Sequence, residues 1–349
     1  MERINLKALD KAALTAFLTG LGQRPYRAGQ VYRWLYARGA TEFAAMTDLA
    51  RDLRALLEDR AELPRLRVVK EQTAADGTRK YLFGLPDGHA VESVWIPEPG
   101  RTTVCVSTQV GCALACSFCL TGQGGLTRNL EAWEIAEQVL ELGRLRPEAP
   151  VTNVVLMGMG EPLANLPAVV PALERLVDPE GMHLAPRRVT VSTAGLVPQM
   201  AELGRRAPYV NLAVSLGATT DALRDELIPV NGRWPLAELM AACRAYPLPP
   251  RRRVFFEYML IRGLNDTPAD ARRLVKLVHG VRCKVNLMAY NPVPGVPYER
   301  PDEETVTAFQ KTLTDAGLRA FVRRSRGRDI LAACGQLKGA PEPGRLAVV

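Results

Sequence analysis

The chain has 349 residues, 47% of them hydrophobic, and a formal charge of +8, enough apolar material for a sizeable core and against wholesale disorder. Its apolar runs fall short of a membrane span, and Met1-Glu2-Arg3-Ile4-Asn5 lacks the apolar stretch of a secretory signal. A cytoplasmic protein with one large domain and a smaller one is expected. Seven cysteines there argue for metal or redox chemistry over structural disulfides, and three histidines are too few for a histidine-rich metal site.

Residues 1–65 read as a helical unit. Leu9, Leu14, Phe17 and Leu18, then Val31, Trp34 and Leu35, then Leu49, Leu53, Leu56 and Leu57 recur at helical spacing, with a break over Gly20–Pro25. Residues 66–97 change pattern: Arg67–Lys70, Lys80–Phe83 and Ala90–Ile96 predict three strands of a small antiparallel sheet, with Asp87-Gly88 as a turn. Residues 98–337 alternate. Thr103–Thr108, Asn153–Met157, Val189–Ser192, Val210–Leu216, Val254–Leu260 and Val285–Tyr290 predict strands, with helical stretches such as Leu130–Leu145, Leu236–Tyr246 and Ala269–His279 between them. Such alternation implies parallel pairing and an α/β fold, either an open doubly wound sheet or a partial barrel, with chemistry at the strands' C-terminal ends. Residues 338–349 remain as a tail. Arginines bunch at Arg205-Arg206, Arg251–Arg253 and Arg323-Arg324 through Arg328, which suits phosphate contact and equally an ordinary solvated surface.

Four of the seven cysteines fall within Cys105–Cys119. Cys112, Cys116 and Cys119 have the spacing CxxxCxxC, directly after the first strand of the alternating region. Three thiolates on one short loop can hold three irons of a [4Fe-4S] cubane and leave the fourth for an outside ligand. The loop resembles that of radical S-adenosylmethionine (SAM) enzymes, where the amino and carboxylate groups of SAM take that iron and an electron splits SAM to a 5′-deoxyadenosyl radical. Zinc is the competing reading, but no second CxxC pair or nearby histidine completes four ligands. After the next strand, Gly158-Met159-Gly160-Glu161-Pro162 supplies glycines for close backbone approach and a carboxylate for the SAM ammonium. Gly160, Glu161, Ser192, Ser215, Leu216, Gly217 and Asn291 sit at strand ends and are candidate SAM contacts; each alone also fits a turn or cap.

Cys105 and Cys334 are not needed by the cluster, and as isolated residues would be ordinary small apolar side chains. Here a closer resemblance enters. Tyr26-Arg27-Ala28-Gly29-Gln30-Val31-Tyr32-Arg33-Trp34, Glu92-Ser93-Val94-Trp95-Ile96-Pro97, the run Cys105–Cys112, Thr127–Leu130, Gly158–Pro162, Asn291–Gly295 and Ala332–Leu337 resemble the RlmN family of dual-specificity 23S ribosomal-RNA and transfer-RNA adenine-C2 methyltransferases. The resemblance implies a partial (βα)6 radical-SAM barrel, an N-terminal helical domain facing RNA, and the 66–97 strands as a linker. It implies two SAM molecules per turnover: one methylates Cys334, and the other supplies the radical that draws hydrogen from the S-methyl group before addition to the adenine. Cys105 then resolves the protein–RNA adduct through a transient disulfide, and Glu92 accepts the ring proton. An electron donor such as flavodoxin or ferredoxin is the further partner. The detour has a chemical reason: a ring carbon between two nitrogens is too electron-poor to attack SAM, whereas a carbon radical adds to it. The family usually has histidine where this chain has Gly217. The rival readings are methylation of adenine carbon 8, a zinc-stapled RNA-binding protein without catalysis, and a radical enzyme acting on a protein glycyl residue.

Overall fold

The computed structural model describes residues 3–339, so Met1, Glu2 and positions 340–349 of the predicted tail lie outside the described residues. Helices α1 (Lys11–Gly20), α2 (Arg27–Tyr36) and α3 (Arg51–Arg60) build the N-terminal unit. The Asp10 carboxylate starts α1 by accepting the Ala13 amide at 2.7 Å, and Gly22 ends the following turn at φ +75°. The predicted stripes meet in one apolar cluster: Leu14, Leu18, Val31, Leu35, Leu53 and Leu57 are buried together.

This unit is keyed to helix α4 (Ala132–Leu145), which begins with a capping box between Glu131 and Glu134. The Lys7 ammonium is wholly buried and donates to Glu137 at 2.7 Å and to the Pro64 carbonyl at 2.8 Å. Glu137 also accepts from Arg144 at 2.9 Å. Burial alone drives Lys7 and Glu137 toward neutrality, and their mutual attraction opposes it. Removing one partner strands the other's charge, so Glu137→Ala is expected to cost about 3–5 kcal/mol. Urea unfolding of the cluster-free protein checks this; a loss under about 1 kcal/mol would reduce the pair to the status of a surface contact.

Ten strands form the main sheet, β1 (Arg67–Thr73), β2 (Arg79–Gly84), β3 (Ala90–Glu98), β4 (Arg101–Cys105), β5 (Asn153–Leu156), β6 (Val189–Thr193), β7 (Asn211–Ser215), β8 (Val254–Leu260), β9 (Cys283–Ala289) and β10 (Ala320–Val322). Their spatial order follows the chain from one edge to the other. β1 to β4 pair antiparallel, and β4 to β10 pair parallel. The expected α/β partial barrel is present, and the three early strands extend its sheet: Val94 of β3 pairs with Cys105 of β4. Two features go beyond the expected six units. The three-residue β10 adds a seventh parallel strand, and Gln109–Gly111 pairs with Leu126–Asn129 in a separate hairpin enclosing the cysteine loop.

The parallel pairs are buried as periodicity demands; β9 alternates buried and half-buried residues along its whole length. Helices α5 (Leu166–Val177), α6 (Val197–Arg206), α7 (Asp221–Leu227), α8 (Leu236–Ala245), α9 (Pro268–Leu277) and α10 (Glu303–Asp315) complete the crossovers. Among the described residues no helix is long and apolar enough to cross a membrane.

Candidate active site

The cysteine loop leaves the sheet just past β4 and is held in shape by backbone contacts. Gly111 takes φ +79°, and a Cβ there would stand 2.0 Å from the Gly125 carbonyl, so no other residue fits. The Cys112 amide donates to that same carbonyl at 2.7 Å, and the Cys119 amide to the Cys116 carbonyl at 3.1 Å. The Ser117 amide reaches across to the Leu227 carbonyl of α7 at 3.2 Å. Cys112, Cys116 and Cys119 thereby line one cavity.

The donor set fits a cubane. Burial raises the Cys112 thiol to about 11, and burial with the neighbouring thiols raises Cys116 further; a bound cationic iron removes that penalty by taking the thiolates. Among the described residues no three Cys, His, Asp or Glu side chains converge closely enough to hold one metal ion, as the zinc reading requires. In a cubane each thiolate serves its own iron.

Gly158, Gly160, Glu161, Ser192, Ser215 and Gly217 line the same cavity, which places the predicted SAM contacts opposite the cysteines. The glycines at 158 and 160 are steric necessities: a Cβ would meet Val106 backbone at 2.7 Å and Gln109 Cβ at 2.5 Å. Glu161 is buried and accepts the Leu163 amide at 3.0 Å and the Ala194 amide at 2.8 Å. Burial lifts its carboxyl to about 7 against these bonds, and among the described residues no cation pairs with it, which leaves it open to an arriving ammonium. Gly217, at φ +72°, has Ile228 Cδ1 2.6 Å from where its Cβ would be. The histidine usual at that position would have to adopt this left-handed φ and displace the end of the Ile228 side chain. Leu216 and Asn291 are not brought to this wall. The Leu216 side chain is buried and its carbonyl accepts from Arg224, while Asn291 lines a second cavity.

That second cavity holds Cys105, Asn291, Arg323, Arg326 and Cys334. Cys334, Met157 and Met288 belong to both cavities, so the Cys334 thiol stands at their junction. Its segment is tied to the cysteine loop: the Leu120 amide donates to Gly335 O at 2.9 Å, and the Thr121 hydroxyl to Leu337 O at 2.6 Å. Cys334 stays solvent-accessible although protein surrounds the thiol, and Cys105 is buried. Burial, reinforced by Cys334, pushes the Cys105 thiol up to about 12 while Arg323 opposes. Burial likewise raises Cys334 against the Arg323 charge. The expected disulfide between the two is not present: both are free thiols.

Glu92 lies elsewhere. It lines neither cavity; Lys80 donates to it at 2.9 Å, and the Lys338 and Gly339 amides at 2.8 and 3.3 Å. Several polar residues escaped the sequence reading. Glu257, buried in the first cavity wall, faces Arg323 at 3.5 Å and accepts from Asn286 at 2.7 Å; a lone carboxylate within the apolar strand Val254–Leu260 was its available signal. Arg224 is fully buried, and burial lowers its pKa to about 10; nothing in the sequence marked it. Among the arginine bunches, Arg205-Arg206 and Arg251–Arg253 precede β7 and β8, at the strands' N-terminal ends. The bunch from Arg323 follows β10, on the side of the site.

Over 338 residues the chain is 53% identical to the dual-specificity RNA methyltransferase RlmN of Syntrophobacter fumaroxidans, covering 97% of this chain and 98% of that protein. The chain belongs to the RlmN family. The family's Pelobacter propionicus member is 50% identical, with 99% of this chain and 98% of the other covered. Residues 4–63 match the ribosomal RNA large subunit methyltransferase N-terminal domain, and residues 106–275 the radical SAM superfamily. A crystal structure of a radical SAM methyltransferase from Sphaerobacter thermophilus superposes with a TM-score of 0.91 at 47% identity, over 97% of this chain and 100% of that one. The RlmN family fold therefore covers both the helical unit and the sheet.

Proposed function

We propose that the chain is a SAM-dependent RNA methyltransferase that places a methyl group on carbon 2 of an adenosine in 23S ribosomal RNA and in transfer RNA. The observation that carries this reading is the position of Cys334 between two cavities, one walled by the cysteine loop and the glycine turn, the other by Cys105 and arginines. A thiol so placed can take a methyl group from one chamber and present it to the other. Cys112, Cys116 and Cys119 would hold a [4Fe-4S] cluster, which when bound would supply one-electron reducing chemistry for SAM cleavage.

The chain's own residues do the rest. Gly160, Glu161, Ser192 and Ser215 hold SAM by backbone approach and a carboxylate for its ammonium. Cys334 accepts the methyl group as a thiolate, with Arg323 favouring the charged form. Cys105, in the same cavity, attacks the Cys334 sulfur as a thiolate; the S–CH2 bond to RNA breaks, its electron pair goes to the methylene carbon, which takes a proton to become the methyl group, and an outside electron donor reduces the resulting disulfide. Glu92 takes the ring proton once residues 338–339 let go of its carboxylate. Arg300, Arg323, Arg324 and Arg328 line a groove beside this opening, suited to phosphates flanking an unstacked adenosine. The helical unit, residues 1–65, adds a further RNA-facing surface.

Reaction of the anaerobically reconstituted protein with methyl-deuterated SAM and protein-free 23S RNA tests the reading by nucleoside mass spectrometry. A 2-methyladenosine carrying CD2H is expected, since one deuterium leaves with the abstracted hydrogen. Methylation at carbon 8, or intact CD3 transfer, would overturn the position or the route.

A further inference from the structure

A buried arginine normally has a carboxylate partner, because an uncompensated charge in the interior costs several kcal/mol. Arg224 breaks this pattern. It is 0% exposed, and among the described residues no carboxylate oxygen lies within 4.0 Å of its guanidinium. Its partners are neutral oxygens: Leu216 O at 2.8 Å, Ala194 O at 2.5 Å, Ser215 O at 3.2 Å and Asn231 Oδ1 at 2.9 Å. Asp221 and Asp225, on the same helix, stand farther off and accept from the Asn231 amide instead, at 3.0 and 2.8 Å.

The helix that carries Arg224 abuts the cysteine loop, and the Arg224 guanidinium holds two strand ends of the cavity the cysteines line. Its helix, α7, accepts the Ser117 amide through Leu227 O. Leu227 and Ile228 pack with Leu114, Cys116 and Phe118 in one apolar cluster, so little water screens the space between guanidinium and loop. A cubane with three thiolate ligands carries net negative charge, and reduction adds one more. From the neutral fork, the missing carboxylate and the dry contact with the loop, we infer that Arg224 is the resident counter-charge of the iron–sulfur cluster. The same fork fixes the ends of β6 and β7, where Ala194 and Ser215 line the cavity. Arg224 is thus a positioning residue with an electrostatic task.

The inference rests on the assignment of the cluster to Cys112, Cys116 and Cys119. Its consequence is directional: a fixed cation favours the reduced cluster, so removing it makes reduction harder. EPR-monitored redox titration of the full-length reconstituted protein, without RNA, compares wild type, Arg224→Gln and Arg224→Lys. Arg224→Gln is expected to lower the reduction equilibrium constant about tenfold, a midpoint about 59 mV more negative for a one-electron couple. Arg224→Lys keeps the charge and loses the fork, so its potential stays at the wild-type value while its cluster-free melting temperature falls. Equal potentials in all three proteins, or an equal shift in both variants, overturns the counter-charge role and leaves only the clamp. Should the glutamine variant not fold, Arg224→Met, neutral and of similar length, takes its place: a potential shifted negative while Arg224→Lys stays at the wild-type value supports the role, and an unmoved potential overturns it. A wild-type protein unable to bind iron would instead overturn the cluster assignment, and this inference with it.

Discussion

Cys334→Ala protein is expected to bind SAM and retain its iron, yet to methylate no RNA. Each of the three cluster cysteines lines the first cavity alone, Cys105 lines the second alone, and Cys334 is the one thiol among the described residues that lines both. No neighbouring sulfur can stand in as acceptor, so the fall in turnover should be at least ~10³-fold, the scale seen when a nucleophile is deleted outright. Iron content, equilibrium SAM binding and methyl incorporation, measured on the same preparation, separate this from misfolding. Residual methylation within tenfold of wild type would show that the methyl group does not pass through Cys334.

The second large effect is of the opposite kind: accumulation in place of loss. Cys105→Ala should still load its methyl group and attack RNA, then stall with RNA covalently bound through Cys334. The resolving step needs a sulfur in the second cavity, and Cys105 is buried in its wall beside Cys334 and Arg323. At rest the Cys105 thiol is protonated, since burial carries it up to about 12. It is therefore a poor nucleophile until a substrate-loaded site removes its proton. A denaturing gel with labelled RNA reports the adduct directly, at close to one per active enzyme. Normal multiple turnover without an adduct would remove Cys105 from the chemistry.

The parts of the site legible in the sequence are those made by neighbours along the chain. The CxxxCxxC loop and the Gly158–Pro162 turn each carry their constraint within a few residues, because the glycines and thiols that shape them are adjacent. The alternation of strands and helices was equally plain, since each βα unit repeats a local period. What stayed hidden is the electrostatic layer. Arg323 read as one of a surface bunch, yet it faces Glu257 from the next strand but one. Arg224 read as nothing, because its partners are carbonyls that any sequence supplies. Leu216 and Asn291 do not line the first cavity for a related reason: sitting at a strand end does not say which way a side chain turns. The three-residue β10 and the Gln109–Gly111 hairpin are too short to show a period.

The segment from Gly327 to Gly339 starts against the β1–β2 turn, at the sheet edge opposite β10, and runs inward to β3. Asp329 accepts the Ala75 amide, Asp76 the Gly327 amide, and Leu331 O the Lys80 ammonium, before Lys338 reaches Glu92, 246 positions away in sequence. During synthesis the cysteine loop, the glycine turn and the early strands all emerge long before their closing piece. A nascent chain can thus gather every residue for binding cofactors while still lacking the sulfur that handles carbon. Vectorial synthesis brings Cys334 out after the other thiols of the site, so methyl transfer waits until the segment from Gly327 to Gly339 docks on the early strands.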